Sequence, residues 1–233
     1  LTAIKSVNIY PKKSNFTLQT VPANMQVYLD GTLIYTPSTV EGVVGLQREL
    51  NVPTIQKSGS DYYEFSNWSD GGNADHFIET PETDTTYTAT YSQVTNVAPQ
   101  ATAYRWSKNS SSTSNSNRVA AGSLNDNNLT SDISLNNGAD DNINAWEAAG
   151  VVWSANQNIS VVDYKNGKWD QAQNGAFTAN FKLQFTSDGT TWTDSGWTPV
   201  PDYVYDSPSS ANVTYVFTGD SSVSTRGVRV VGQ

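Results

Sequence analysis

The sequence predicts an all-β protein built from two sandwich domains. Three observations predict it. Apolar and polar residues alternate with period 2, as in Met25-Gln26-Val27-Tyr28-Leu29 and Thr86-Tyr87-Thr88-Ala89-Thr90-Tyr91, which sends successive side chains to opposite faces of a strand. Helical periodicity is nearly absent. A stretch of linker composition, Ser92-Gln93-Val94-Thr95-Asn96-Val97-Ala98-Pro99-Gln100, divides the 233 residues into segments 1–93 and 94–233, each of ordinary domain size.

The elements follow in order. In the first segment Asp30-Gly31 closes a hairpin, because both turn positions of a tight hairpin need positive φ. Gly42, Gly45, Gly59, Gly71 and Gly72 punctuate the remaining strands. Pro99 forbids a simple continuation of the last one. The second segment opens with a long polar tract, residues 107–117, read as a loop of functional length. Strands are then expected over 150–153, 159–164, 176–186, 212–218 and 227–231, with a turn at Asp188-Gly189.

Composition narrows the function. The formal charge is 13 − 22 = −9 and the pI is near 4.4, so phosphate backbones and anionic membrane surfaces are repelled. No apolar run reaches the roughly 20 residues of a membrane span, which excludes membrane insertion by a helix. There is no cysteine and hence no thiolate chemistry. The single histidine, His76, adjoins Asp75 and lies near Asp70, but neighbours on a strand face opposite ways, and no Gly-x-Ser-x-Gly elbow accompanies it. No carboxylate pair falls in a hydrolytic motif. The chain therefore reads as non-catalytic. Seven Trp and twelve Tyr stand against one Met. Their flat apolar faces with one polar atom suit β-sandwich cores and suit the C–H faces of sugar rings equally.

Four segments of the second half resemble the discoidin, or coagulation factor 5/8 type C, family. These are Leu124-Asn125-Asp126-Asn127-Asn128-Leu129-Thr130, the strand-like run from Trp146 to Trp153, the run from Phe181 through Ser187-Asp188-Gly189 to Trp192, and Arg226-Gly227-Val228-Arg229-Val230-Val231. The family includes the galactose-binding-like carbohydrate-binding modules of family 32. The resemblance implies a jelly-roll sandwich that binds polysaccharide or oligosaccharide. Family members continue past the Arg-containing strand, whereas this chain stops at Gln233. Either the fragment is truncated or residues 1–10 supply a replacement strand. In the first half, Phe65-Ser66-Asn67-Trp68-Ser69-Asp70-Gly71-Gly72 and Thr85-Thr86-Tyr87-Thr88-Ala89-Thr90-Tyr91 resemble the ending of small Ig-like repeat domains of bacterial secreted proteins. That resemblance implies a spacer or accessory role.

The discoidin resemblance implies site residues. Asp126, Asn128 and Thr130 match the loop that holds a structural calcium ion, which takes six to eight oxygens. Asn127 replaces the family's glycine, and a metal-free polar turn is the alternative. Sugar binding needs an aromatic platform flanked by planar polar groups. Trp169 lies in the polar run 163–170 and is read either as that platform or as a loop anchor, with Asn166, Lys168 and Asp170 contacting hydroxyls. Trp197 and Tyr203 extend the face from the proline-stiffened stretch 194–206, and Trp106 reaches the same end. Trp146 and Trp192 match core positions, and Arg226 braces loops. In the first domain Trp68, Tyr62 and Tyr63 leave a further sugar contact open.

Together these readings give a monomeric, secreted, extracellular bacterial module pair that targets an attached enzyme to a polysaccharide. The rival is a cell-surface adhesion or structural module that binds protein or glycoconjugate.

Overall fold

The computed structural model describes residues 5, 7–108, 118–120, 146–166, 177, 179–204 and 213–233. Strands dominate, as the alternation predicts. Among the described residues the one helical element is a single 3-10 turn at Ala98–Gln100, with Pro99 in its first turn. No helix of the described residues is long and apolar enough to cross a membrane. The chain divides into two compact units, Leu1–Val94 and Thr95–Gln233.

The first unit has nine strands: β1 (Lys13–Val21), β2 (Gln26–Leu29), β3 (Thr32–Tyr35), β4 (Ser38–Val43), β5 (Gln47–Asn51), β6 (Ile55–Ser58), β7 (Asp61–Trp68), β8 (Asp75–Glu79) and β9 (Thr85–Gln93). They form a five-stranded sheet, ordered β4-β1-β9-β7-β6, and a four-stranded sheet, ordered β3-β2-β5-β8. All pairings are antiparallel except β1 with β9, which run parallel from Phe16↔Thr85 to Val21↔Thr90. One core lies between the sheets. Phe16, Leu18, Trp68, Ala89 and Tyr91 enter it from one, and Val27, Leu29, Leu50 and Ile78 from the other. Each set occupies alternate positions, so period 2 alone accounts for burial here. Asp30 (φ 50) and Gly31 (φ 75) make the expected turn between β2 and β3.

A buried amide ties the two sheets together. On β6, Gln56 Oε1 accepts from the Gln26 amide nitrogen (2.8 Å) of β2, and its Nε2 donates to the Gln26 carbonyl (2.9 Å) and to Tyr91 Oη (2.6 Å). Tyr91 Oη in turn donates to the Pro53 carbonyl at 3.0 Å. Burial pushes the Tyr91 phenol up to about 12.

The second unit has β10 (Thr102–Lys108), β11 (Arg118–Ala120), β12 (Trp146–Lys165), β13 (Lys182–Thr186), β14 (Thr193–Asp194), β15 (Pro199–Val200) and β16 (Thr214–Gly232). Their order is β11-β10-β12-β16-β13-β14, and β15 also pairs with β16. The sheet curls because β12 and β16 are long and their register shifts twice, between Val152 and Gln157 and between Ile159 and Val161. Such bulges bend the strand that carries them. One half of the pair, Glu147–Val152 with Gly227–Gly232, is flanked by β10 and β13. The other half, Val161–Lys165 with Thr214–Thr218, is flanked by β15. The main core lies between the halves, with Val151, Trp153, Leu183, Phe185, Val228 and Val230 facing Ile159, Tyr215 and Phe217.

Three expectations need correction. Residues 150–153 and 159–164 belong to one bulged strand, because the chain bends without leaving the sheet. Among the described residues of 176–186, only Lys182–Thr186 forms a strand, since Asn180 at φ 56 ends the extended run on its N-terminal side. Lys5 and residues 7–10 pair with no strand, and Val7, Ile9 and Tyr10 are exposed, so these residues are not the replacement strand. Lys108 ends β10, and the rest of the polar tract, 109–117, lies outside the described residues.

Candidate functional site

Strand register brings several strand ends of the second unit to one end of its sandwich. Lys108 lies opposite Trp146, Glu147 opposite Gly232, and Lys182 opposite Val231. In the other half Lys165 lies opposite Thr214. Phe177 joins the two sets, for its ring packs against Gly232 and lies 6.4 Å from the Tyr164 ring. Residues flanking 109–117, 167–176 and 205–212 therefore converge with Trp146, whereas Ala120 lies farther down the sheet, opposite Tyr104.

An aromatic floor underlies this end. Phe181 stacks on Tyr203 with ring centroids 4.2 Å apart and planes at 27°. Around Phe181 stand Tyr164, Phe177, Tyr215 and Phe217, all within 5.6 Å of it. Tyr203 Oη accepts from the Phe177 amide nitrogen (2.9 Å) and donates to the Phe177 carbonyl (2.7 Å). This two-way bond fixes the chain just after 167–176, so Tyr203 anchors the loop end with both its ring and its hydroxyl.

The expected site residues fall into three groups. Trp169, Lys168 and Asp170 lie outside the described residues, as do Asp126, Asn128 and Thr130. Asn166 and Trp106 are at the right end but inside it, 1% and 4% exposed. The Asn166 amide nitrogen donates to the Val213 carbonyl (2.8 Å), and its Oδ1 accepts from Tyr164 Oη (3.2 Å). Both side chains point into the fold and are packed there. Trp197 is half-buried partway down the sandwich. It meets Phe185 edge-on at 5.1 Å and lies flat over Gly219, where a Cβ would sit 2.1 Å from its Nε1. Among the described residues no group of three or more His, Cys, Asp or Glu could hold a metal ion.

Trp106 belongs to a second buried layer, on the other face of the sheet. Arg229, 2% exposed, packs against both Trp106 (5.3 Å) and Trp192 (4.5 Å), whose rings meet edge to face at 5.2 Å, and donates from Nε to Gln184 Oε1 at 2.8 Å. Gln184 Nε2 donates to Asp194 Oδ1 (2.7 Å), and Lys182 Nζ donates to Asp194 Oδ2 (2.6 Å). Burial pulls the Arg229 guanidinium down to about 10, and the Asp194 charge partly offsets this. Arg226 Nε donates to the Trp153 carbonyl (3.1 Å) at the β12 bulge.

Glu147 is a candidate that sequence reading missed. It continues the inward-facing series Val151, Ala149 of β12 to the loop end. Burial pushes its carboxyl up to about 7, while the Arg105 charge pulls the other way. The period-2 series was the signal that could have found it. A half-buried carboxyl beside a guanidinium offers both an acceptor and donors to hydroxyl groups.

No protein-family model and no curated protein sequence matches the chain. Among solved structures it is similar to the family 32 carbohydrate-binding module of C. perfringens NanJ, solved with galactose, at 15% identity and a TM-score of 0.35 over 58% of this chain and 83% of that one. It is also similar to a structure from the Streptococcus pneumoniae β-galactosidase BgaA, at 14% identity and a TM-score of 0.34 over 57% of this chain and 82% of that one.

Proposed function

We propose that this chain is a non-catalytic carbohydrate-binding protein whose second unit binds glycan at the loop end of its sandwich and holds an attached secreted enzyme on its polysaccharide. One observation carries the reading: residues flanking 109–117, 167–176 and 205–212, together with Trp146, converge over a single aromatic floor. The four sequence segments that resemble the discoidin family support it. In this reading Trp169 stacks on a sugar ring while Lys168, Asp170 and Glu147 meet hydroxyls. A calcium ion held by Asp126, Asn128 and Thr130 stiffens the neighbouring loop. Galactose, bound by the family 32 module similar to this chain, is the first sugar to try.

The mechanism is proximity. Binding raises the local concentration of substrate around whatever the module carries. A single stacked ring with a few hydrogen bonds gives affinities of about −4 to −8 kcal/mol, millimolar to micromolar. A glycan array, followed by affinity electrophoresis of wild type and Trp169→Ala, tests the reading. Loss of binding in the variant alone is the expected result. Failure of the wild type to bind any glycan would sink it. EDTA is expected to lower the melting temperature, and an unchanged value would remove the calcium.

A further inference from the structure

We infer that the outer face of the first unit's four-stranded sheet is a separate glycan-binding surface, suited to polymers of amino sugars with free ammonium groups. Register decides which side chains share this face. Tyr28 lies opposite Leu33 on one side and Asn51 on the other, and Gln26 lies opposite Tyr35. Across β5 and β8, Asn51 is opposite Asp75 and Glu49 is opposite Phe77. The alternating positions Val27, Leu29, Leu50 and Ile78 are buried in the core. The first set therefore points outward.

This face leaves large apolar groups in solvent: Phe77 is 63% exposed, Tyr35 62% and Leu33 41%. They are not scattered. With strands about 4.8 Å apart and residues rising about 3.4 Å, Tyr35 and Tyr28 stand about 8 Å apart, and Tyr28 and Phe77 about 12 Å. The three rings lie along one diagonal, long enough for several linked pyranose rings. Gln26 Nε2 donates to Tyr35 Oη at 3.3 Å and helps hold that ring. A diagonal of flat rings on a rigid sheet is what an extended sugar chain stacks on.

Charge selects the class of chain. Glu49 stands opposite Phe77, and Asp75 is two residues from it on the same strand and face. The only basic side chains on these four strands, Arg48 and His76, alternate to the inner side. Arg48 pairs with Asp30 at 2.6 Å, and His76 Nε2 meets Asp70 at 3.1 Å. Acidic polysaccharides are repelled from such a surface. An ammonium group on a sugar gains both the carboxylates and the ring faces. This surface is independent of the loop end of the second unit.

The test uses the full chain with a β-linked glucosamine polymer in its N-acetylated and deacetylated forms, measured by co-sedimentation. Wild type is expected to bind the deacetylated form more tightly and to weaken with salt. The double variant Tyr35→Ala/Phe77→Ala should bind about tenfold more weakly. Its melting temperature should be unchanged, since both side chains are exposed. Glu49→Gln/Asp75→Asn should lose the preference for the deacetylated form, while Asp61→Asn/Glu82→Gln, with the same change in charge elsewhere, should keep it. Trp169→Ala should leave this binding intact, which separates it from the second unit's site. Equal binding of both polymer forms would overturn the inference, as would equal losses in the two charge variants. Displacement by oligolysine at equal charge would make the partner a basic peptide and also overturn it.

Discussion

The guanidinium of Arg229 lies 4.5 Å from the ring centroid of Trp192, on a strand buried from both sides. A cation so placed is held by its ring contacts, by Gln184 and by the more distant charge of Asp194. Arg229→Ala would remove the donor to Gln184 and leave a void beside two tryptophans. A loss of about 3–5 kcal/mol in the second unit is expected from urea unfolding. Arg229→Lys should recover only part of it, because an ammonium lacks the planar fork that packs against the two rings.

Gln56 supplies the first unit's link between sheets. Gln56→Leu keeps much of the volume but strands the Gln26 carbonyl and amide nitrogen. The expected cost is about 1–3 kcal/mol, read as a lower melting temperature for that unit. Tyr91→Phe should cost less, because Gln56 keeps both its bonds to the Gln26 backbone.

Glu147 makes stability depend on pH. Its folded carboxyl titrates near 7, above the ordinary value of about 4.3. The folded state therefore binds the proton more tightly than the unfolded chain does. This contribution is full below about pH 4.3 and is lost as pH rises through 7. The loss is on the order of 1–2 kcal/mol once solvent screening of a half-exposed group is allowed for. Glu147→Gln should flatten this slope in pH-dependent chemical unfolding. An unchanged slope would show that the carboxyl is ionised throughout.

Asp188 acts in the opposite direction. Its Oδ1 accepts from the amide nitrogens of Thr190 and Thr191, both at 2.7 Å, and from Thr186 Oγ1 at 2.9 Å. These backbone bonds hold the carboxyl well below the usual range. The contribution is present above the unfolded value and lost as pH falls below about 4. Asp188→Asn is expected to weaken the acid-limb dependence of the second unit's melting temperature, and Asp188→Ala to lower that temperature at neutral pH as well.

Much of this fold was legible. Asp30-Gly31, the strand through Tyr87–Tyr91 and the Asp188 turn all follow from turn chemistry and period 2, which act within a few residues. β12 was not legible as one strand, because its bulge inserts Ser154-Ala155-Asn156 and breaks the alternation that identifies strands. Trp106 and Asn166 misled for a different reason. A tryptophan before a polar tract and an asparagine before a glycine look exposed in one dimension, yet Arg229 with Trp192 encloses the first and Tyr164 the second. Such enclosure depends on strands far apart in sequence. Phe77 was passed over because one apolar residue among Asp75, His76 and Glu79 has meaning only once β3 and β2 lie on the same face.

The parallel pairing of β1 with β9 has a mechanical consequence. The chain enters the first unit along one strand and leaves along its neighbour in the same direction, so entry and exit lie at opposite ends of that pair. Tension along the polypeptide loads the hydrogen bonds between Phe16↔Thr85 and Val21↔Thr90 in shear, and they must yield together. An antiparallel pair pulled from one end would open bond by bond. Force applied through these two strands is therefore met by a shear pairing rather than a peeling one.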